Sequence, residues 1–212
     1  MDKNQINILK KEFNLEINEA KAKIFSEYEK LFLEKNAFVN LISKNDEKFL
    51  FEKHIFDSLA IAKKLGNPAS QPLNSSPTQL LDIGTGGGFP SVPVAIFYDN
   101  IEVYAIDSIR KKINVIESLK ADLDLKNLFP ICERVEKLPL ETTPKEYDYI
   151  TSRAVAPMDM ILKYAFPHLK KGGLFIAYKS KKALDELKDA EKTLKRLGGK
   201  IVEIIEYTLP LE

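Results

Sequence analysis

Several residue types are scarce in this chain of 212 residues, and each scarcity excludes a class of protein. Cys132 is the only cysteine, so no disulfide can form within the chain, and no Cys/His cluster suggests a metal site. No apolar run is long enough to span a bilayer, and residues 1–14 are too polar for a signal peptide. We therefore expect a cytoplasmic protein with no metal and no membrane partner.

The chain also lacks an excess of charge of either sign. Its 32 basic residues nearly balance its 31 acidic ones, and the formal net charge is +1. Any surface that binds nucleic acid must therefore be a local basic patch. Hydrophobic residues make up 44% of the chain, which at this length is enough for the core of one domain with a small extension.

The N-terminal part has the spacing of amphipathic helices. Apolar residues recur at helical spacing over 17–33 and 49–65, and Asn18 is a suitable N-cap for the first of these helices. A stretch rich in Pro, Ser and Asn follows, which is typical of a surface linker. We therefore predict a helical extension over 1–66, a linker over 67–79 and a second unit over 80–212.

The second unit alternates between short apolar strands and helices. Strands are predicted at 80–83, 101–106, 128–132, 147–152, 174–178 and 201–207. Helices are predicted at 109–123, 158–169 and 182–197. This alternation predicts an α/β fold with a doubly wound, Rossmann-like parallel sheet that follows the N-terminal helical extension.

A glycine-rich turn follows the first predicted strand and opens a helix; residues 82–90 read D-I-G-T-G-G-G-F-P. Such a turn alone suits a dinucleotide, a phosphate group, S-adenosylmethionine, or no ligand at all. Phe89 stands where a nicotinamide-type fingerprint has its third glycine, and the Lys-Ser/Thr of a phosphate loop is absent. The Asp82 carboxylate would repel a pyrophosphate and would favour a cofactor with ammonium and sulfonium charges. The turn therefore favours S-adenosylmethionine.

Asp107 ends the second predicted strand, close to the glycine turn in a parallel sheet. An acid at this place accepts hydrogen bonds from the ribose hydroxyls of an adenosine, in nicotinamide cofactors and in S-adenosylmethionine alike. The alternative role for Asp107 is an N-cap of the next helix. Asp107 therefore indicates an adenosine without choosing between the two cofactors.

Short motifs spread over residues 36–179 occur together in one family. They are Asn36 with Asn40-Leu41, His54 with Asp57-Ser58-Leu59, the turn at 82–90, Asp107-Ser108 with Lys111-Lys112, Arg134-Val135-Glu136, and Ser152-Arg153-Ala154-Val155-Ala156. In these motifs the chain resembles the bacterial small-subunit ribosomal RNA guanine-N7 methyltransferases (RsmG, glucose-inhibited division protein B). It departs from that family at Ser91, where glycine is usual.

The resemblance implies a class I methyltransferase sheet, S-adenosyl-L-methionine as cofactor and the N7 of a guanine in 16S ribosomal RNA as acceptor. It places that guanine in the decoding-centre loop, and the partner is then the RNA or the 30S small ribosomal subunit. It also implies a monomer. Together with the turn and strand-end residues, it gives these cofactor-binding candidates: Asp82, Gly84, Gly86, Phe89, Asp107, Val135, Glu136 and Arg153.

Arg153 is the first candidate for holding the target guanine, its phosphate or the methionine carboxylate, because a planar guanidinium suits each of these groups. His54 is interpreted as an anchor of the helical part. Local lysines near predicted helix and strand ends would offset RNA phosphate charge. The RNA-binding candidates are Lys111, Lys112, Lys179, Lys181 and Lys182.

Three other functions remain open from the residues alone. A nicotinamide-dependent Rossmann oxidoreductase would share the turn and Asp107, although Phe89 disfavours it. A methyltransferase acting on another acceptor, protein or small molecule, would have the same cofactor site. A non-catalytic protein that keeps the fold and docks on ribosomes would not need to bind S-adenosylmethionine.

From the sequence we expect Arg153→Ala and Asp82→Ala each to abolish methyl transfer while the fold stays intact, because both residues end strands that face the cofactor. A transfer assay paired with circular dichroism measures both effects. A variant that transfers methyl groups at the wild-type rate removes its residue from the site.

Overall fold

The structure is a computed structural model that describes residues 1–67, 77–180 and 183–211. Its centre is a parallel sheet with helices on both faces. The strands are β1 (Thr78–Ile83), β2 (Ile101–Asp107), β3 (Leu128–Cys132), β4 (Tyr147–Arg153) and β5 (Leu169–Tyr178). These bounds confirm the predicted α/β class.

The helices before the sheet are α1 (Lys3–Phe13), α2 (Glu19–Val39), α3 (Lys44–Glu47), a π-helical segment (Phe51–Phe56), α4 (Asp57–Leu59) and α5 (Ala62–Leu65). Those between and after the strands are α6 (Ser91–Phe97), α7 (Arg110–Asp122), α8 (Met158–Ala165) and α9 (Ala183–Arg196). Across the described ranges, no helix combines the length and apolar character needed to cross a lipid bilayer.

The strand order is β3-β2-β1-β4-β5, and every neighbouring pair is parallel. At the carboxyl end of β1, Ile83 lies opposite Ile106 of β2 and Ser152 of β4. The strand order reverses between β1 and β4, and ligands of doubly wound sheets bind in the crevice outside such a reversal. The topology therefore predicts a ligand site at this edge of the sheet.

Each face of the sheet has its own hydrophobic cluster, because successive side chains in a strand point to opposite faces. Leu80 faces a cluster that also contains residues of α1, α2, α6 and α7. Leu81 faces the other cluster, formed with α8 and α9. The N-terminal helices thus share a core with the sheet. The division at 1–66, 67–79 and 80–212 stays a prediction, and residues 68–76 lie outside the described residues.

The helix predicted over 49–65 is divided into the π-helical segment, α4 and α5, and β5 begins at Leu169 instead of at 174. Two further elements differ more strongly from the sequence prediction. The strand predicted at 201–207 is wrong, because this segment has no regular secondary structure and lies against the N-terminal helices, where the Tyr207 ring packs on Phe13 and Phe56. Helix α1 was not predicted at all. Its signal was the pairing of Asp2 with Gln5, which forms a capping box around the first turn.

Candidate active site

The candidate site lies at the carboxyl ends of β1, β2 and β4. Asp82 lies within β1, Asp107 ends β2 and Arg153 ends β4. The glycine turn follows β1, which pairs with β2 on one side and with β4 on the other, so the turn lies between the ends of these two strands. The structure therefore brings the three predicted charged residues and the turn to one edge of the sheet.

The glycine turn is shaped by left-handed backbone conformations that favour glycine. At Gly84, φ is +70°, and a Cβ would lie 2.4 Å from Cγ2 of Val155. At Gly86, φ is +59°, and among the described residues beyond its chain neighbours only the Gly84 carbonyl oxygen, at 3.8 Å, would come within 4 Å of an added Cβ. The turn is thus closed by protein at Gly84 and open at Gly86, where a ligand can approach the backbone.

Asp107 joins the glycine turn to the end of β2. Its Oδ2 accepts the backbone N–H of Gly86 at 3.0 Å, and its Oδ1 accepts that of Ile109 at 2.9 Å. Ile109, not Asp107, is the N-cap residue of α7. A carboxylate has about four acceptor positions, so lone pairs remain for two ribose hydroxyls. Both the position and the remaining capacity fit an adenosine.

Asp82 is enclosed by protein. Its side chain is 0% exposed, Oδ1 accepts the hydroxyl of Thr151 at 2.9 Å, and Oδ2 accepts that of Ser91 at 2.5 Å. Burial raises the pKa of the Asp82 carboxyl, and these hydrogen bonds act in the opposite direction. Asp82 therefore ties β1 to β4 and to the start of α6. Its role as a cofactor ligand stays a prediction, which the observed packing does not favour.

Arg153 is held by the N-terminal part of the chain. Its Nη1 donates to Asp57 Oδ2 at 3.0 Å and to the Lys53 carbonyl at 3.1 Å, while Nη2 donates to His54 Nδ1 at 3.0 Å. Its Cζ lies 5.1 Å from the ring centroid of Phe89. A guanidinium has five N–H donors, so these three bonds leave two donors for a ligand.

His54 is neutral in this arrangement. Arginine can only donate, so His54 Nδ1 must accept and the ring proton is assigned to Nε2. Nε2 is buried and has no partner among the described residues. Burial, then the charge of Arg153, lowers the pKa of His54 to about 4. His54 joins the helical part to β4, as the sequence interpretation expected.

The remaining cofactor candidates differ in exposure. The Phe89 ring is buried against the N-terminal helices, 5.1 Å from the ring of Phe32 and 4.8 Å from that of His54. Val135 is buried and Glu136 is exposed in a short 3-10 turn after β3. Phe89 thus packs between the N-terminal helices and Arg153. The turn after β3 has one apolar and one acidic side chain where an adenine is expected.

The lysine candidates are not equivalent. Lys111 is exposed, and Lys112 Nζ lies 4.0 Å from Asp107 Oδ2. Lys179 donates to the Ala156 carbonyl at 2.9 Å and to Glu186 at 2.6 Å, which neutralises its charge and disfavours an RNA contact. Lys181 and Lys182 lie outside the described residues.

A cavity of about 680 Å³ lies elsewhere, between β5, α8, α9 and the segment after α9. Its walls are mainly apolar, and they include none of the eight cofactor candidates. Cavity volume therefore does not mark the candidate site, which is defined by the strand ends and the glycine turn.

The chain is similar to known proteins over most of its length. Residues 21–208 match the family GidB, described as rRNA small subunit methyltransferase G. The chain belongs to this family. It is 34% identical over 200 residues to the ribosomal RNA small subunit methyltransferase G of Staphylococcus aureus strain JH9, covering 94% of this chain and 81% of that protein. The Lachnoclostridium phytofermentans protein of the same name is 36% identical over 197 residues, covering 92% and 78%.

The fold of this GidB-family chain also occurs outside the family. A SAM-dependent O-methyltransferase from Thermotoga maritima superposes with a TM-score of 0.50 at 17% identity. The superposition covers 66% of this chain and 49% of that one. This likeness shows the fold, and the family match disfavours the nicotinamide-dependent alternative.

The surroundings of Asp82 change one expectation from the sequence. In Asp82→Ala, the Thr151 hydroxyl loses its acceptor inside the core, so we expect the free energy of unfolding to fall by about 2 kcal/mol. Urea denaturation measures this change. Asp82→Asn, which keeps an acceptor oxygen, is the matched control and should lose less. Equal stabilities of Asp82→Ala and the wild type would contradict this packing role.

His54 should make stability depend on pH. Its pKa is about 4 in the folded protein and near 6.5 when unfolded, so the unfolded state binds the additional proton between these values. The free energy of unfolding is therefore highest above pH 6.5, where His54 is neutral in both states, and it decreases as pH falls toward 4. The slope from one proton is at most about 1.4 kcal/mol per pH unit.

Urea denaturation at pH 7 and pH 4.5 tests this dependence. Wild type should lose more stability between these pH values than His54→Gln. An identical loss in wild type and His54→Gln would show that His54 does not carry the effect.

Proposed function

We propose that this protein transfers a methyl group from S-adenosyl-L-methionine to the N7 of a guanine in 16S ribosomal RNA, in the decoding-centre loop of the small subunit. The observation that carries the proposal is the family match over residues 21–208. The open glycine turn beside Asp107 and Arg153 supports it with a site of suitable chemistry.

The residues at the strand ends fit the cofactor. Asp107 keeps lone pairs for the ribose hydroxyls, and Gly86 leaves space for the backbone to approach the ligand. Val135 and Glu136 offer an apolar contact and an acceptor for the adenine amino group. When bound, S-adenosylmethionine supplies an electrophilic methyl group on a sulfonium. The free donors of Arg153 suit its carboxylate or the target guanine.

The reaction needs no general base, because guanine N7 has a lone pair and no proton to lose. His54 is neutral, and its Nδ1 is occupied by Arg153, so it is not available to move a proton. The contribution of the protein is then to hold N7 in line with the methyl group, and positioning of this kind supplies up to roughly 7–11 kcal/mol.

Charge compensation is the second contribution. N7-methylguanine is cationic, so an unpaired arginine nearby would oppose its formation. Asp57 pairs with Arg153 at 3.0 Å and offsets that charge. The guanidinium can therefore bind an acceptor without adding a net positive charge to the site.

The RNA-contacting surface is proposed to include the first turn of α7. Lys111 and Lys112 lie there, the first turn has no acidic residue, and Ile109 offers no side-chain cap. Backbone N–H groups at an uncapped helix start attract anions, as lysines do. Lys181 and Lys182 remain further candidates. We expect the enzyme to act as a monomer, without a metal ion, in the cytoplasm where ribosomal subunits are assembled.

The test is transfer from labelled S-adenosylmethionine to small ribosomal subunits from cells that lack this enzyme, read by strand cleavage specific for N7-methylguanine. We expect one labelled guanine with the wild type and none with Arg153→Ala. Free 16S RNA and 30S subunits are compared in parallel, with a preference expected for the subunit. Label on protein or on another base would establish a different acceptor and refute the proposal.

A further inference from the structure

A chain of hydrogen bonds connects the C-terminal segment to the candidate site. The Tyr207 hydroxyl donates to Asp57 Oδ1 at 2.5 Å, and Asp57 Oδ2 accepts from Arg153 Nη1 at 3.0 Å. Tyr207 and Asp57 are 150 residues apart in sequence, and Asp57 and Arg153 are 96 apart. Three distant segments therefore meet at one carboxylate.

Both oxygens of this carboxylate have a strong donor. The side chains of Arg153 and Asp57 are only 18% and 17% exposed, so water has limited access to either. With one oxygen bound by Tyr207 and the other by Arg153, the carboxylate plane cannot rotate without breaking a charge-assisted hydrogen bond. The orientation of the guanidinium thus depends on both partners of Asp57.

The Tyr207 hydroxyl is itself held in place. Its ring packs at 6.0 Å from Phe13 and 6.3 Å from Phe56, measured between ring centroids. Burial, followed by the Asp57 charge, raises the pKa of Tyr207, so its phenol stays protonated and remains a donor. The rest of the segment has no regular secondary structure, and Glu203 pairs with Lys64 at 3.1 Å. The aromatic contacts therefore set where the hydroxyl lies.

We propose that Tyr207 is a positioning residue for methyl transfer, which holds Asp57 so that Arg153 keeps its two remaining donors aimed at its ligand. This role rests on the proposed function, because it assumes that Arg153 contacts the cofactor or the guanine. The influence of Tyr207 passes through the carboxylate.

Tyr207→Phe tests the role, because it keeps the ring against Phe13 and Phe56 and removes only the hydroxyl. We expect kcat/KM for labelled methyl transfer to fall about tenfold, the effect of losing one hydrogen bond to a charged group. If Arg153 holds the methionine carboxylate, KM for S-adenosylmethionine rises. If it holds the guanine, KM for S-adenosylmethionine is unchanged, and the loss appears in kcat or in KM for the RNA.

A second readout needs neither cofactor nor RNA. The chain has two histidines, so an NMR titration of the free protein can follow the His54 signals, which the His54→Gln variant assigns. Three charged groups act on His54: Arg153 and Lys53 lower its pKa, and Asp46 raises it. If Arg153 leaves its place in Tyr207→Phe, the pKa of His54 should rise. A purely structural role for Tyr207 would not move it.

Tyr98→Phe is the matched control. Tyr98 is buried, and its hydroxyl donates to the Gly66 carbonyl at 2.7 Å, which is not part of the hydrogen-bond chain from Tyr207 through Asp57 to Arg153. It loses one hydroxyl and one hydrogen bond, as Tyr207→Phe does. We expect wild-type kinetics and an unchanged His54 titration. Equal losses of activity in the two variants would overturn the proposal, because they would indicate a general effect on stability.

The two readouts separate this proposal from the proposed function. An unchanged His54 titration in Tyr207→Phe refutes the positioning role, even if the wild type methylates 16S RNA. If the wild type does not methylate the RNA but the pKa of His54 is raised in Tyr207→Phe, the positioning of Arg153 by Tyr207 is supported. The proposal that 16S RNA is the acceptor is then refuted.

Discussion

The arrangement of this molecule depends on the need to neutralise one half-buried guanidinium. Arg153 ends β4 at the ligand-binding edge, where its side chain is 18% exposed and requires partners. The sheet does not supply them. The π-helical segment and α4 do, with one backbone carbonyl, one imidazole nitrogen and one carboxylate. The N-terminal helices are thus part of the site as well as of the core.

Much of the sheet was predictable because its signals are local. Strands β1 to β4 have short apolar runs, and the glycine turn and Asp107 lie at fixed offsets from them, so their meeting follows from parallel topology. Helix α1 is harder to predict, because its segment is polar and its main signal is the capping box of Asp2 and Gln5. The prediction of a strand at 201–207 failed because the apolar residues of this segment suit a strand. Its position is instead decided by contacts of Tyr207 with aromatic rings far away in sequence.

The partners of the charged residues were not predictable for the same reason. Nothing in local spacing relates Tyr207 to Asp57, and the orientation of Asp82 into the core depends on hydroxyls from two other elements. Ser91, where the resemblance led us to expect a glycine, supplies one of those hydroxyls. A departure in sequence here coincides with a hydrogen bond that a glycine could not make.

Val155 connects two parts of the site, the glycine turn after β1 and the end of β4 at Arg153. Immediately after Arg153, Ala154 adopts a left-handed φ of 55°, uncommon for a residue with a Cβ, and this brings Val155 over Gly84. A displacement of the glycine turn must therefore be accommodated by the loop that follows Arg153. A ligand that displaces the turn would then also change the affinity of a ligand bound beside Arg153, and the coupling would be reciprocal, with the same factor in both directions.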